Sequence, residues 1–271
     1  RRQADDPGAM IRWEPWVRAA VLDSELLSNL SFAAFTDGIK LEYRSPASVA
    51  GLEVVGMVRP TEKGFRDQLP LMDLYADLRE DRASEILAQI GPQSALWSSV
   101  TNLHPSRNPK TFELLDLATR FAIWVEMRFK HALACPRPAD FSAQVQPMIL
   151  TPGHGALPSG HSTQAYIVAH VLCEVLGAGS GSSMRAQLMR QAARVAINRT
   201  VAGVHFPADS AAGHLLGITL GEFLVARCKG AGGGQGAGTF TARSFDGTKF
   251  EDDFNPNEDL GQVADHVATV S

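Results

Sequence analysis

Three short stretches of the chain concentrate side chains able to hold and attack a small anion. They are Lys130-His-Ala-Leu-Ala-Cys-Pro-Arg137-Pro138, then Leu157-Pro158-Ser159-Gly160-His161, then Asn198-Arg199 followed by His205-Phe206-Pro207-Ala208-Asp209. A dianion withdrawn from water needs fixed positive charge. Arginine offers a planar fork that bonds two oxygens at once, and lysine a compact point charge. Lys130, Arg137 and Arg199 would supply both kinds. Ser159 and Gly160, placed just before a helix, offer a hydroxyl and bare backbone N–H groups where the helix dipole favours negative charge. Gly160 also lets the backbone come close to a ligand. His205 with Asp209 four residues on suggests an imidazole held in one tautomer by a carboxylate. His161 remains as a second imidazole for proton transfer.

The order and spacing of these stretches resemble the signature of the type-2 phosphatidic acid phosphatase and vanadium haloperoxidase superfamily: K-x6-RP, then PSGH, then SR-x5-H-x3-D. The match runs from Lys130 to Asp209, under a third of the chain, and departs only at Asn198, where Ser is usual. Each piece alone is a weak signal, because PSGH occurs by chance and a lone Arg or Lys is usually a solvated helix face. Together, in order and at fixed spacings, they are hard to obtain by accident. The resemblance implies that Lys130, Arg137, Ser159, the Gly160 amide and Arg199 hold the oxyanion. It implies that His205 attacks phosphorus or coordinates vanadium, that Asp209 orients His205, and that His161 handles the proton of the leaving group or of bound peroxide.

Phosphate and vanadate share one shape, so these residues do not separate the two chemistries. His154 lies seven positions before His161, the offset at which vanadium bromoperoxidases resemble this chain by carrying a second histidine. The non-Ser residue at 198 and the Gly203-Val204-His205-aromatic run also resemble the haloperoxidase form. The leading expectation is therefore a vanadate-dependent, bromoperoxidase-like enzyme, with His154 among its catalytic residues, vanadate as cofactor on His205, and peroxide and halide as substrates. The alternative is an acid phosphatase without cofactor that hydrolyses phosphomonoesters through a phosphohistidine. The modest chain length favours that alternative.

The elements that must position these residues read as helices. Apolar residues recur at helical spacing over Ile11–Leu30 and Pro70–Ile90, the latter stopped by Gly91-Pro92. Thr111 opens a cleaner stripe through Leu114, Leu115, Ala118, Phe121, Ala122, Val125 and Phe129, which must end before Pro136. Ser162–Leu176, Met184–Asn198 and a stretch from Pro207 to about Arg227 read as three further helices. Asp37–Arg59, Ala95–Pro109 and Asp140–Gly160 read as loops or short extended pieces. The expected fold class is all-α, a helical bundle of the acid phosphatase/vanadium haloperoxidase type. The expected organisation is one helical catalytic domain over residues 1–229, a Gly-rich linker over 230–238 and an acidic C-terminal tail over 239–271.

Composition narrows the function classes. The 271 residues carry a formal charge of −4. From residue 239 onward two basic side chains face seven acidic ones, so the tail holds about −5 and reads as solvated. No basic stripe interleaved with aromatics exists, so a nucleic-acid partner has no support. No apolar run of about 18 residues suggests a membrane-spanning helix, and the chain reads as soluble, secreted, periplasmic or cytoplasmic. The three cysteines form no CxxC pair. Cys173 and Cys228 read as small core residues, and the four tryptophans as core packing. His104, His131, His170, His214 and His266 read as histidines outside the site.

Overall fold

The computed structural model describes residues 7–44, 51–231, 238–251, 253–257 and 266–270. Its elements, in chain order, are α1 (Pro15–Leu27), β1 (Leu30–Phe35), β2 (Gly38–Tyr43), β3 (Leu52–Val58), α2 (Glu62–Asp67), α3 (Leu69–Ala76), α4 (Arg79–Ala88) and α5 (Ser94–Thr101). There follow α6 (Pro109–Leu133), α7 (Pro138–Phe141), α8 (Gly160–Val175), α9 (Ser183–Val201), α10 (Pro207–Ala231), β4 (Gly238–Asp246) and β5 (His266–Val270).

Helix α6 follows its sequence pattern. Pro109 opens it where a missing N–H costs nothing, and Ala134, at φ 46°, closes it with an N–H bond to the Lys130 carbonyl. Its stripe from Leu115 to Phe129 is buried against α8. Helix α8 is buried on nearly every face, with α6, α9 and α10 around it, as a helix apolar all round must be.

The approach of α8 to α10 depends on three glycines one turn apart, Gly213, Gly217 and Gly221. A Cβ on Gly217 would lie 2.5 Å from the Thr163 carbonyl oxygen and 2.7 Å from Tyr166 Cβ. One on Gly213 would meet the Ser159 carbonyl oxygen at 2.6 Å. The same contact brings Asp209, in the first turn of α10, against the start of α8, where the Ser159 N–H donates to the Asp209 carbonyl at 2.8 Å. Gly217→Leu should therefore destabilise the fold by about 2–3 kcal/mol through overpacking. Gly179→Ala, with nothing within 4 Å of the new Cβ, should stay within about 0.5 kcal/mol. Urea unfolding followed by circular dichroism measures both, and equal midpoints for the two variants would refute the close-packing account.

The all-α expectation is corrected: helices dominate, but a five-stranded sheet in the order β1-β2-β3-β4-β5 accompanies them. Strands β1 and β2 form a hairpin through Asp37, which sits at φ 58°. β2 alternates strictly, with Ile39, Leu41 and Tyr43 buried. β3 pairs parallel with β4, Val55 opposite Arg243, and β4 lies on α10. The reading of residues beyond 239 as merely solvated is corrected with it. Phe240, Ala242 and Phe245 are buried, and Arg243 donates to Glu222 of α10 at 2.8 Å. The Gly-rich linker lies almost wholly outside the described residues.

Smaller corrections concern packing. Pro70–Ile90 divides into α3 and α4, and α5 occupies part of the expected loop, ended by Asn102 at φ 50°. Trp97 is buried, whereas Trp13 and Trp16 are exposed. Cys173 is buried and Cys228 is not.

Candidate active site

The candidate residues converge from the ends of helices. Lys130 closes α6, Arg137 precedes α7, Ser159 caps α8, Gly160 and His161 open α8, and Arg199 ends α9. His205 and Asp209 flank the start of α10. Local hydrogen bonds fix the loops between them. The Arg137 N–H donates to Asp140 Oδ2 at 2.7 Å, and the Asp140 N–H donates back to the Arg137 carbonyl at 2.9 Å. The Ala156 N–H donates to the Cys135 carbonyl at 2.9 Å.

Lys130 is buried, and its ammonium donates to the carbonyls of Gly155, Ala156 and Pro158 at 3.2, 3.0 and 2.5 Å. Its three protons thus gather the loop that leads into Ser159, and its charge reaches the site from behind that loop. Burial lowers Lys130 to about 8, opposed by the nearby carboxylate of Glu126. Glu126, one turn earlier on α6, is itself buried and raised to about 7 by desolvation, opposed by Lys130 and by Gln164, which donates to it at 3.1 Å. A Cβ on Gly160 would come within 2.6 Å of Glu126 Oε1. The glycine therefore accommodates this carboxylate as well as any ligand.

His205 is the best-defined group. Arg137 Nη1 lies 3.0 Å from His205 Nε2, and Asp209 Oδ2 lies 3.0 Å from Nδ1. A guanidinium only donates, so Nε2 is an acceptor and the ring proton sits on Nδ1, donated to Asp209. Asp209 Oδ2 also accepts from the Phe206 N–H at 2.9 Å. Burial holds His205 well below the usual histidine range, and the charges of Lys130, Arg137, His161 and Arg199 push the same way. Burial pushes Asp209 upward, opposed by the Phe206 N–H and the charges of Lys130 and Arg137. His205 is therefore neutral at rest, with a lone pair on Nε2.

Arg137 donates with Nη1 to the Val204 carbonyl at 2.8 Å and with Nη2 to His154 Nδ1 at 3.2 Å; its Nε reaches the His154 carbonyl at 3.3 Å. His154 is thus placed against Arg137, with its ring exposed at the edge of the site. Arg199 differs. Its Nη2 donates to Gln89 Oε1 at 2.7 Å, while its buried Nε and Nη1 have no hydrogen-bond partner in the described structure. Buried charged donors without partners are costly, so these two atoms fit an anion. Burial lowers Arg199 only to about 10, so it stays charged.

His161 Nε2 lies 3.0 Å from the Gln89 carbonyl oxygen and must donate to it, which leaves Nδ1 bare. Burial, with Arg199 next, lowers His161 to about 4. The Ser159 hydroxyl accepts from the Ser162 N–H at 3.5 Å, a long cap. Cys135, though adjacent in sequence, is raised to about 12 by burial and stays a thiol. Of the other histidines, His214 stacks on Tyr166 with ring centroids 3.9 Å apart.

Sequence reasoning missed Gln89 and Glu126. Gln89 holds Arg199 by its side chain, His161 by its carbonyl and Asn198 through a 3.2 Å bond to its Oε1. An amide at a helix end carries no motif, and its partners lie more than 70 residues away. Glu126 was readable only as part of the α6 register.

Residues 114–229 match the family described as the PAP2 superfamily. Among solved structures, the chain is similar to a transmembrane PAP2 type phosphatidylglycerolphosphate phosphatase from Bacillus subtilis, at 19% identity over 62% of this chain and 96% of that one, with a TM-score of 0.38. No curated protein matches the chain at a significant level. The bromoperoxidase-like subtype expected from His154 has no support in these comparisons. Among the described residues, no helix is long and apolar enough to cross a membrane. The segment that matches the PAP2 superfamily, residues 114–229, carries every motif residue from Lys130 to Asp209.

Proposed function

We propose that this chain is a phosphatase that hydrolyses phosphomonoesters through a phosphohistidine on His205. The observation that carries this reading is the neutral, Nδ1-protonated His205, whose Nε2 lone pair faces Arg137, in a site where Arg199 keeps two buried donors unpaired and its charge acts on His205. The PAP2 superfamily match supports the phosphoester as substrate class.

In this reading the phosphoryl oxygens draw Arg137 Nη1 away from Nε2 and take up Arg199 Nε and Nη1. The Gly160 and His161 N–H groups, in the first turn of α8, add donors with no intrahelical acceptor. The Nε2 lone pair then forms a bond to phosphorus as the ester P–O bond breaks. The released electron pair stays on the leaving oxygen, which takes a proton from His161 Nδ1. His205 becomes cationic, and its bond to Asp209 strengthens into an ion pair, an interaction larger in the transition state than in the ground state. Water then attacks phosphorus, His161 accepts its proton, and the P–N electron pair returns to His205.

The resting His161 is neutral above about pH 4, so its proton must arrive with the substrate. A phosphomonoester monoanion brings one and loses it near pH 6. Raising the pH through that value removes the competent form, so kcat/KM should fall by about tenfold per pH unit above it. Hydrolysis of p-nitrophenyl phosphate without added vanadate, profiled from pH 4.5 to 8, tests this reading. A flat profile would overturn the proton route, and no hydrolysis at any pH would overturn the phosphatase.

One observation favours a second reading, a vanadate-dependent haloperoxidase: the contact of the His154 ring with Arg137 at 3.2 Å. The unpaired Arg199 donors and the His205 lone pair fit a tetrahedral vanadate as well as a phosphate. Vanadate held there would supply peroxide activation, with His154 moving protons at the rim. Peroxide-dependent bromination by the vanadate-loaded protein that falls sharply in His154→Ala, together with no phosphatase activity, would establish it instead.

A further inference from the structure

A cavity of about 320 Å³ opens beside His161, between the turn after α4, helix α5 and helices α6 and α8. Its wall is mainly apolar, built from Ile90, Trp97, Phe112, Leu115 and Val168. Its polar lining includes Gln93, Ser94, Thr119 and Gln164, and its one carboxylate is Asp116. No Lys or Arg lines it. The volume is at the lower end of the range for small-molecule sites, about 300–1,000 Å³. Much of this wall, from Ile90 to Trp97 and again Phe112, precedes the family-matched segment.

We infer that this cavity is the subsite for the alcohol portion of the phosphoester, and that it takes an uncharged, mainly apolar group of about one or two aromatic rings. The inference rests on the phosphatase reading for its chemistry. His161 is both the proposed proton donor to the leaving oxygen and a wall of the cavity, so a group attached to that oxygen is within reach of the cavity. Phosphoryl recognition is supplied by Lys130, Arg137 and Arg199, none of which lines the cavity, and the cavity adds no cation. A second anionic group on the substrate would meet Asp116, whose ion-pair partner Arg120 lies outside the lining, and no cation among the lining residues. An aryl group would instead exchange water for Trp97, Phe112 and Leu115.

Non-hydrolysable ligands separate this inference from the catalytic one. Calorimetry should show benzylphosphonate binding at least tenfold more tightly than methylphosphonate, because both fill the anion site and only the former reaches the cavity. 4-Carboxybenzylphosphonate should lose that advantage, and Asp116→Lys, at an exposed position, should restore at least threefold of it. Ser94→Trp, also exposed, and Thr119→Trp should fill the cavity and abolish the benzyl preference while methylphosphonate affinity stays within twofold. Equal affinities of the wild type for benzyl- and methylphosphonate would overturn the inference, as would a benzyl preference untouched by both tryptophan variants. Retained benzyl preference in a protein that hydrolyses no phosphoester would overturn the phosphatase reading alone.

Discussion

His205→Ala is expected to lower kcat for phosphomonoester hydrolysis by on the order of 10⁴-fold or more, to the edge of detection. The reason is chemical: in the proposed mechanism Nε2 is the atom that bonds phosphorus, and only His205 has its ring proton held by a buried carboxylate, which stabilises the cation formed on attack. Cys135 is held as a thiol by burial, and His161 has its Nε2 engaged by the Gln89 carbonyl. Phosphate affinity should stay within a few fold, because the substitution also frees Arg137 Nη1 from its 3.0 Å bond to the ring. Asp209→Ala should cost less, about 10²-fold, since it orients His205 and stabilises its cation but forms no bond to phosphorus. Steady-state kinetics with phosphate titration on each variant reads both effects. Wild-type turnover in His205→Ala would remove the phosphohistidine from the mechanism.

Arg199→Ala should weaken phosphate binding by about 10²-fold or more. Two buried donors, Nε and Nη1, have no partner in the protein, and charge-assisted bonds contribute about 1.5–3 kcal/mol each. Arg199→Lys should not restore the affinity, because an ammonium cannot place two donors in a fixed fork. Gln89→Leu provides a second reading of the same group. It keeps the guanidinium but removes the 2.7 Å acceptor that aims it, and should cost about tenfold. Arg137→Ala should also weaken binding at least tenfold, although its donors already serve the Val204 and His154 carbonyls and His205. Calorimetric titration with inorganic phosphate measures all four. Unchanged affinity in both arginine-to-alanine variants would sink the anion site.

The residues that converge on the candidate site were legible from sequence because an oxyanion site would constrain their types and the helix ends constrain their spacing. The K-x6-RP, PSGH and R-x5-H-x3-D strings each span one helix terminus and its loop, so local order preserves them. Helices α6, α8, α9 and α10 were legible for the same local reason, since an apolar stripe repeats every three or four residues. The sheet was not. β2 alternates cleanly, but β3 and β4 pair across nearly 190 residues, and pairing at that distance leaves no trace in either strand's own pattern. Tertiary structure alone decided three further points. It turned Lys130 towards three loop carbonyls and fixed the His205 proton on Nδ1 by setting Arg137 against Nε2. It also brought Gln89, from the N-terminal third, between Arg199 and His161. A sequence states which groups can donate, accept or carry charge; which partner each one meets depends on how separate helices pack.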